Sequence, residues 1–192
     1  MVEVLLHHLP PEREIPSQKF LEMLTLPKFQ KALDIAAKRT RATGFETAFD
    51  VDSFPNNPFW IQDVRVGGAD GMAEGRVIAE IDGEHPELWD EIDFFQFHFH
   101  PASDEIAIPS TDDMQIFAHK LGIPDYMGVG AVDNLGRISI LVIARSKYRL
   151  ISHDLKFYEE AVEFAEIEDY KEFQGILATI GLNSFLVEFN PK

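Results

Sequence analysis

The stretch FFQFHFHP, residues 94–101, alternates aromatic with polar side chains and then meets a proline. In a β-strand, residues two apart project from the same face. Phe95, Phe97 and Phe99 therefore share one side, and Gln96, His98 and His100 share the other. The phenylalanine side belongs in a core, so the chain must build a sheet around it. Pro101 cannot donate to a sheet ladder and ends the strand just past the second histidine.

The rest of the chain supplies partners for such a strand. A short apolar stretch at residues 2–9 is broken by Pro10 and Pro11. PKFQKALDIAAKRTRATG, from Pro27, reads as a helix with proline in its first turn, Phe29, Leu33, Ala36 and Ala37 on one face, and Gly44 beyond its end. FETAFDVDSF follows as a strand. FWIQDVRVGG and GRVIAEIDG read as two more, separated by a glycine-rich turn that has no following lysine and opens no helix, so it is not a phosphate loop. ELWDEIDFFQFHFHP is expected as the next strand, and TDDMQIFAHKLG as a helix with Met114, Phe117, Ala118 and Leu121 in its apolar stripe. YMGVGAVD and RISILVIAR read as strands joined by a turn, the second apolar enough to be central. A long helix, broken or bent, is expected from Asp154 to about Gly181, and SFLVEF as a closing strand. The pattern predicts one α+β domain, 1–192, with a mixed sheet flanked by helices.

Hydrophobic residues make up 45% and charged residues 26% of 192 residues, a composition suited to one globular domain. The net charge of -16 disfavours nucleic acid and anionic membrane surfaces as partners. No apolar run is long enough to span a bilayer and the N-terminal stretch has no basic n-region, so the cytoplasm is the expected location. With no cysteine, any metal must be held by nitrogen and oxygen, and a cysteine nucleophile is excluded.

Two imidazoles on one strand face can converge on one ion at about 2.0–2.1 Å each. A His-x-His pair alone is as readily a pair of polar surface residues. Ser110 and Asp113 have their own local explanation: Ser-x-x-acid before an apolar helical stripe resembles a capping box, with Ser110 as N-cap. A carboxylate in the first helical turn is nevertheless fixed in place. If residues 101–109 fold back, His98, His100 and Asp113 hold three corners of a tetrahedron and leave the fourth open, the mark of a catalytic zinc site.

HFHP followed by PSTDD resembles the JAMM motif of MPN-domain metalloproteases, which combines an upstream glutamate, His-x-His-Pro and Ser-x-x-Asp. The resemblance covers about residues 26–147 and leaves 148–192 as a C-terminal helical extension. It implies an MPN fold and cleavage of isopeptide or peptide bonds, most often at the C-terminus of ubiquitin or a ubiquitin-like modifier. It further implies Zn2+ held by His98, His100 and Asp113, with Ser110 helping to hold the oxyanion. A glutamate base is also implied. Glu46, following a helix and opening a strand, fits its placement better than Glu80, which leaves little room for intervening strands before His98.

An extended substrate tail needs a sheet edge to pair with, and residues 56–59, 67–75 and 101–109 are candidate walls. A homo- or hetero-oligomer is compatible with the sequence. Trp60 and Trp89, with no interleaved basic residues, are expected in a core or interface. Two rival readings remain. One is an MPN-fold scaffold subunit without activity. The other is a cupin-type metal site using His98, His100 and Glu105, which the expected helices oppose.

Overall fold

The computed structural model describes residues 3–7, 16–53, 59–67, 95–101, 107–119, 125–133, 135–144, 151–164 and 170–190. Its strands are β1 (Glu3–His7), β2 (Thr47–Asp52), β3 (Trp60–Ile61), β4 (Arg65–Val66), β5 (Phe95–Phe99), β6 (Tyr126–Val132), β7 (Ile138–Ala144) and β8 (Asn183–Asn190). Its helices are α1 (Gln18–Thr25), α2 (Pro27–Thr43), α3 (Thr111–His119), α4 (Ser152–Phe164) and α5 (Tyr170–Thr179). The expected α+β class with a mixed sheet is what the chain forms. One sheet runs in the order β1-β8-β7-β6-β5-β2-β3, with β4 also paired to β2. Every pairing is antiparallel except β5 with β6, which α3 connects.

Helices cover both faces. On the first, α1 and α2 pack Phe20, Met23, Phe29 and Leu33 against Phe49, the three β5 phenylalanines, Ile140, Val142 and Val187. On the second, α3, α4 and α5 pack Met114, Phe117, Tyr158, Phe173 and Leu177 against Met127, Leu141 and Ile143. The β5 alternation is realised as expected: Phe95, Phe97 and Phe99 are wholly buried, with rings meeting edge to face at 4.8 Å between Phe97 and Phe99.

The neighbouring strand makes room for those rings. Phe97 lies opposite Gly128 and Phe99 opposite Gly130. A Cβ at Gly128 would come 2.6 Å from Phe95 Cζ, and one at Gly130 would come 2.8 Å from both Phe97 and Phe99. Glycine is therefore needed here although it weakens a strand. Gly44, at φ 70, ends α2 as expected, its N–H donating to Thr40 O at 2.9 Å.

Several expectations are corrected. FWIQDVRVGG is not one strand: β3 and β4 pair with β2 in registers one residue apart, so residues 62–64 form a bulge between them. Of the two places expected for Trp60, a core or an interface, the core is excluded: at the edge of the described sheet it is 57% exposed. The break expected in the C-terminal helix is found, the described residues forming α4 and α5. The segment after residue 148 is not only a helical extension, because β8 runs in the sheet between β7 and β1. Helix α1 was not expected, although Ser17 caps it by accepting from Phe20 N–H at 3.2 Å and Phe20, Met23 and Leu24 form its buried stripe. The expected strand at GRVIAEIDG, Glu80, Trp89, Glu105 and most of the candidate walls lie outside the described residues. No described helix is long and apolar enough to cross a membrane.

Candidate metal centre

The second face of the sheet changes character across its width. Over β6 and β7 it is apolar and covered by α3, α4 and α5. Over β2 and β5 it carries Ala48, Asp50 and Asp52 from one strand and Gln96 and His98 from the other, with Glu46 and His100 just beyond the strand ends. The histidines sit at this boundary, beside the start of α3.

Each side chain is placed by identifiable bonds. Ala48 lies directly opposite His98, and its small side chain leaves room for the imidazole. The His100 N–H donates to Gly130 O at 3.2 Å, carrying the β5–β6 ladder one residue past the strand. Glu46 is fixed from its flanks: Gly67 N–H donates to Glu46 O at 2.8 Å, while buried Thr47 Oγ1 donates to Ala36 O at 3.1 Å and meets Thr40 Oγ1 at 2.6 Å. Asp113 is held by the capping box that the sequence suggests. Its Oδ2 accepts from Ser110 N–H and Ser110 Oγ, each at 2.7 Å, and its own N–H donates back to Ser110 Oγ at 3.1 Å.

The result is a compact cluster. His98 Nε2 and His100 Nε2 are 3.1 Å apart. Asp113 Oδ2 lies 3.4 Å from the first and 3.5 Å from the second. A tetrahedral ion bonded at about 2.0–2.1 Å to each ligand requires donors roughly 3.3 Å apart, so the three atoms already have the spacing of a coordination triangle. Two imidazole nitrogens and one carboxylate oxygen are also a donor set that zinc accepts. The cluster fits a metal ion in geometry and in chemistry. Glu46 Oε1 stands 4.0 Å from His100 Nε2, beside the triangle and outside it.

Charge in the cluster follows from burial opposed by pairing. Burial pushes the His98 ring down, but hydrogen bonding to Asp113 and the negative charges of Asp113, Glu46 and Asp50 more than offset it, raising its pKa above the ordinary histidine value. Burial likewise pushes Asp113 up, yet hydrogen bonds from His100, His98 and Ser110 hold its carboxyl well below the usual carboxylate range. The site therefore presents a fixed anion beside two imidazoles, and a metal ion binds imidazoles through their deprotonated nitrogens.

Of the five residues singled out in the sequence, His98, His100 and Asp113 meet, Glu46 flanks them, and Ser110 is engaged in holding Asp113. Its single hydroxyl proton is donated to the carboxylate. Asp50 was missed, although the alternation of FETAFDVD places it on the face of Glu46. It is buried and ion-paired to Arg65 at 2.6 Å. Tyr158 and Tyr170 were missed too, since nothing local in the sequence ties them to the site. Compared with protein-family models, curated proteins and solved structures, the chain has no significant match.

Proposed function

We propose that this protein is a zinc-dependent metallohydrolase of the JAMM type, with an MPN-like fold, that cuts an amide bond at the C-terminus of a ubiquitin-like modifier or a peptide. The observation that carries this reading is the mutual spacing of His98 Nε2, His100 Nε2 and Asp113 Oδ2, 3.1–3.5 Å, with a carboxylate at the rim. The topology agrees with it: the glutamate precedes a strand antiparallel to the histidine strand, and the Ser-x-x-Asp helix connects that strand to a parallel neighbour.

When bound, zinc supplies a water whose pKa falls to about 7 and a Lewis acid for the scissile carbonyl. His98, His100 and Asp113 hold the ion. Glu46 takes a proton from the attacking water and returns it to the leaving amine, a role worth roughly 10²–10⁴-fold. Ser110 keeps Asp113 aimed; to donate to an oxyanion as well, its hydroxyl must turn away from Asp113. No residue forms a covalent bond to substrate, in keeping with a chain that has no cysteine.

The substrate class rests on the sheet edge. Among the described residues no strand lies beyond β3 and β4, and Phe45, Trp60 and Val66 expose apolar surface along that side. An extended tail adding to this edge would be bound by its backbone, with side-chain selection left to these residues. The test is cleavage of a ubiquitin-like C-terminal amide, with chelator and with zinc restored. Cleavage that stops with chelator and returns with zinc is expected. A protein that takes up no metal at all rules the reading out.

A further inference from the structure

The cap that aims Asp113 is itself held from outside the JAMM-like region. Residues 107–109 lead into Ser110, and their backbone is bonded at both ends. Tyr158 Oη, on α4, donates to Pro109 O at 2.5 Å. Tyr170 Oη, on α5, accepts from Ala107 N–H at 3.1 Å. We infer that Tyr158 and Tyr170 are positioning residues for the metal centre, fixing the backbone whose next peptide N–H holds Asp113 toward His98 and His100. The inference rests on the metallohydrolase reading.

The decisive link is a single peptide plane. Pro109 C=O and Ser110 N–H belong to the same planar unit, which cannot twist without large cost. Tyr158 holds its oxygen end at 2.5 Å, and Asp113 Oδ2 takes its hydrogen end at 2.7 Å. A phenol proton, a rigid amide and a carboxylate are thus in series. Each bond in such a chain polarises the next, so the phenol strengthens the amide's grip on the metal ligand. Pro109 also locks its own φ, which leaves this plane one rotation fewer relative to the peptide before it.

Packing alone does not call for the hydroxyl. Tyr158 is wholly buried, with its ring edge to face on Phe173 at 5.9 Å, and phenylalanine would fill that space equally well. A buried phenol is kept where it has a partner, and here the partner is Pro109 O. Burial, followed by the Asp113 charge, pushes the Tyr158 hydroxyl up, and burial pushes that of Tyr170 up to about 12. Both therefore remain neutral, Tyr158 as a donor and Tyr170 as an acceptor, across the range in which a zinc hydrolase works.

The test uses the full chain as Tyr158→Phe and Tyr170→Phe, with Phe173→Leu as a packing control, since Phe173 makes neither bond to residues 107–109. Zinc affinity is read by chelator competition, and ligand geometry by the visible spectrum of the cobalt-loaded protein. Tyr158→Phe is expected to weaken zinc about tenfold, as loss of an outer hydrogen bond to a metal site does, and to change the cobalt bands. Tyr170→Phe should act in the same direction and less. Phe173→Leu should lower the melting temperature and leave zinc affinity and cobalt bands unchanged. Wild-type zinc affinity and spectrum in Tyr158→Phe overturn the inference, as does an equal loss in Phe173→Leu. A wild-type protein that binds no zinc overturns the metal reading first, and this inference with it.

Discussion

The two faces of β5 obey different constraints over the same five residues. On one, Phe95, Phe97 and Phe99 are fixed by space, interlocked with Gly128 and Gly130 so that not even a methyl group could be added. On the other, His98 and its neighbour His100 are fixed by charge and hydrogen bonding to Asp113, with room left around them by Ala48. The first face secures the fold at the expense of any chemistry. The second tolerates change in packing but not in the identity of three donor atoms.

Substitutions that cross this division should separate the two. His98→Ala is expected to abolish zinc uptake and cleavage, while the metal-free protein melts close to wild type; metal analysis and calorimetry check this, and an unfolded variant would erase the distinction. Phe97→Ala should do the reverse. It should cost about 3–5 kcal/mol in urea unfolding, a large part of the roughly 5–15 kcal/mol of a typical domain, while the remaining folded protein still binds zinc. Glu46→Gln should keep both fold and metal and lower kcat by roughly 10²–10⁴. If turnover is unaffected, Glu46 is not the base. Ser110→Ala spans the two faces, losing a cap worth about 0.5–2 kcal/mol and loosening Asp113, and is read as a small fall in both melting temperature and zinc affinity.

What could be read in the sequence was what local periodicity encodes. Alternation placed the phenylalanines and histidines on their faces, and Ser110 to Asp113 announced its cap. Gly44 marked the end of α2 through the positive φ that it alone accepts readily. What escaped depends on contacts between distant segments. The bulge dividing β3 from β4 exists only against β2, and no pattern within FWIQDVRVGG displays it. Trp60 is exposed where its strand ends the sheet among the described residues, a matter of topology and not of its own hydrophobicity. Tyr158 and Tyr170 reach residues 107–109 across dozens of intervening positions. Two features were missed with their signals present: Asp50, which alternation places on the face of Glu46, and α1, with its serine cap and short apolar stripe.

The position of β8 has a consequence for the order of folding. It lies between β7 and β1, so β1 joins the described sheet only by pairing with residues 186–190, far along the chain. Pairings so distant along the chain close slowly. A nascent chain that has emerged only as far as α3 already carries both imidazoles and the carboxylate, yet has no finished sheet to hold them. The metal-site cluster is therefore braced only once strands that follow it in the chain, β6, β7 and β8, have paired.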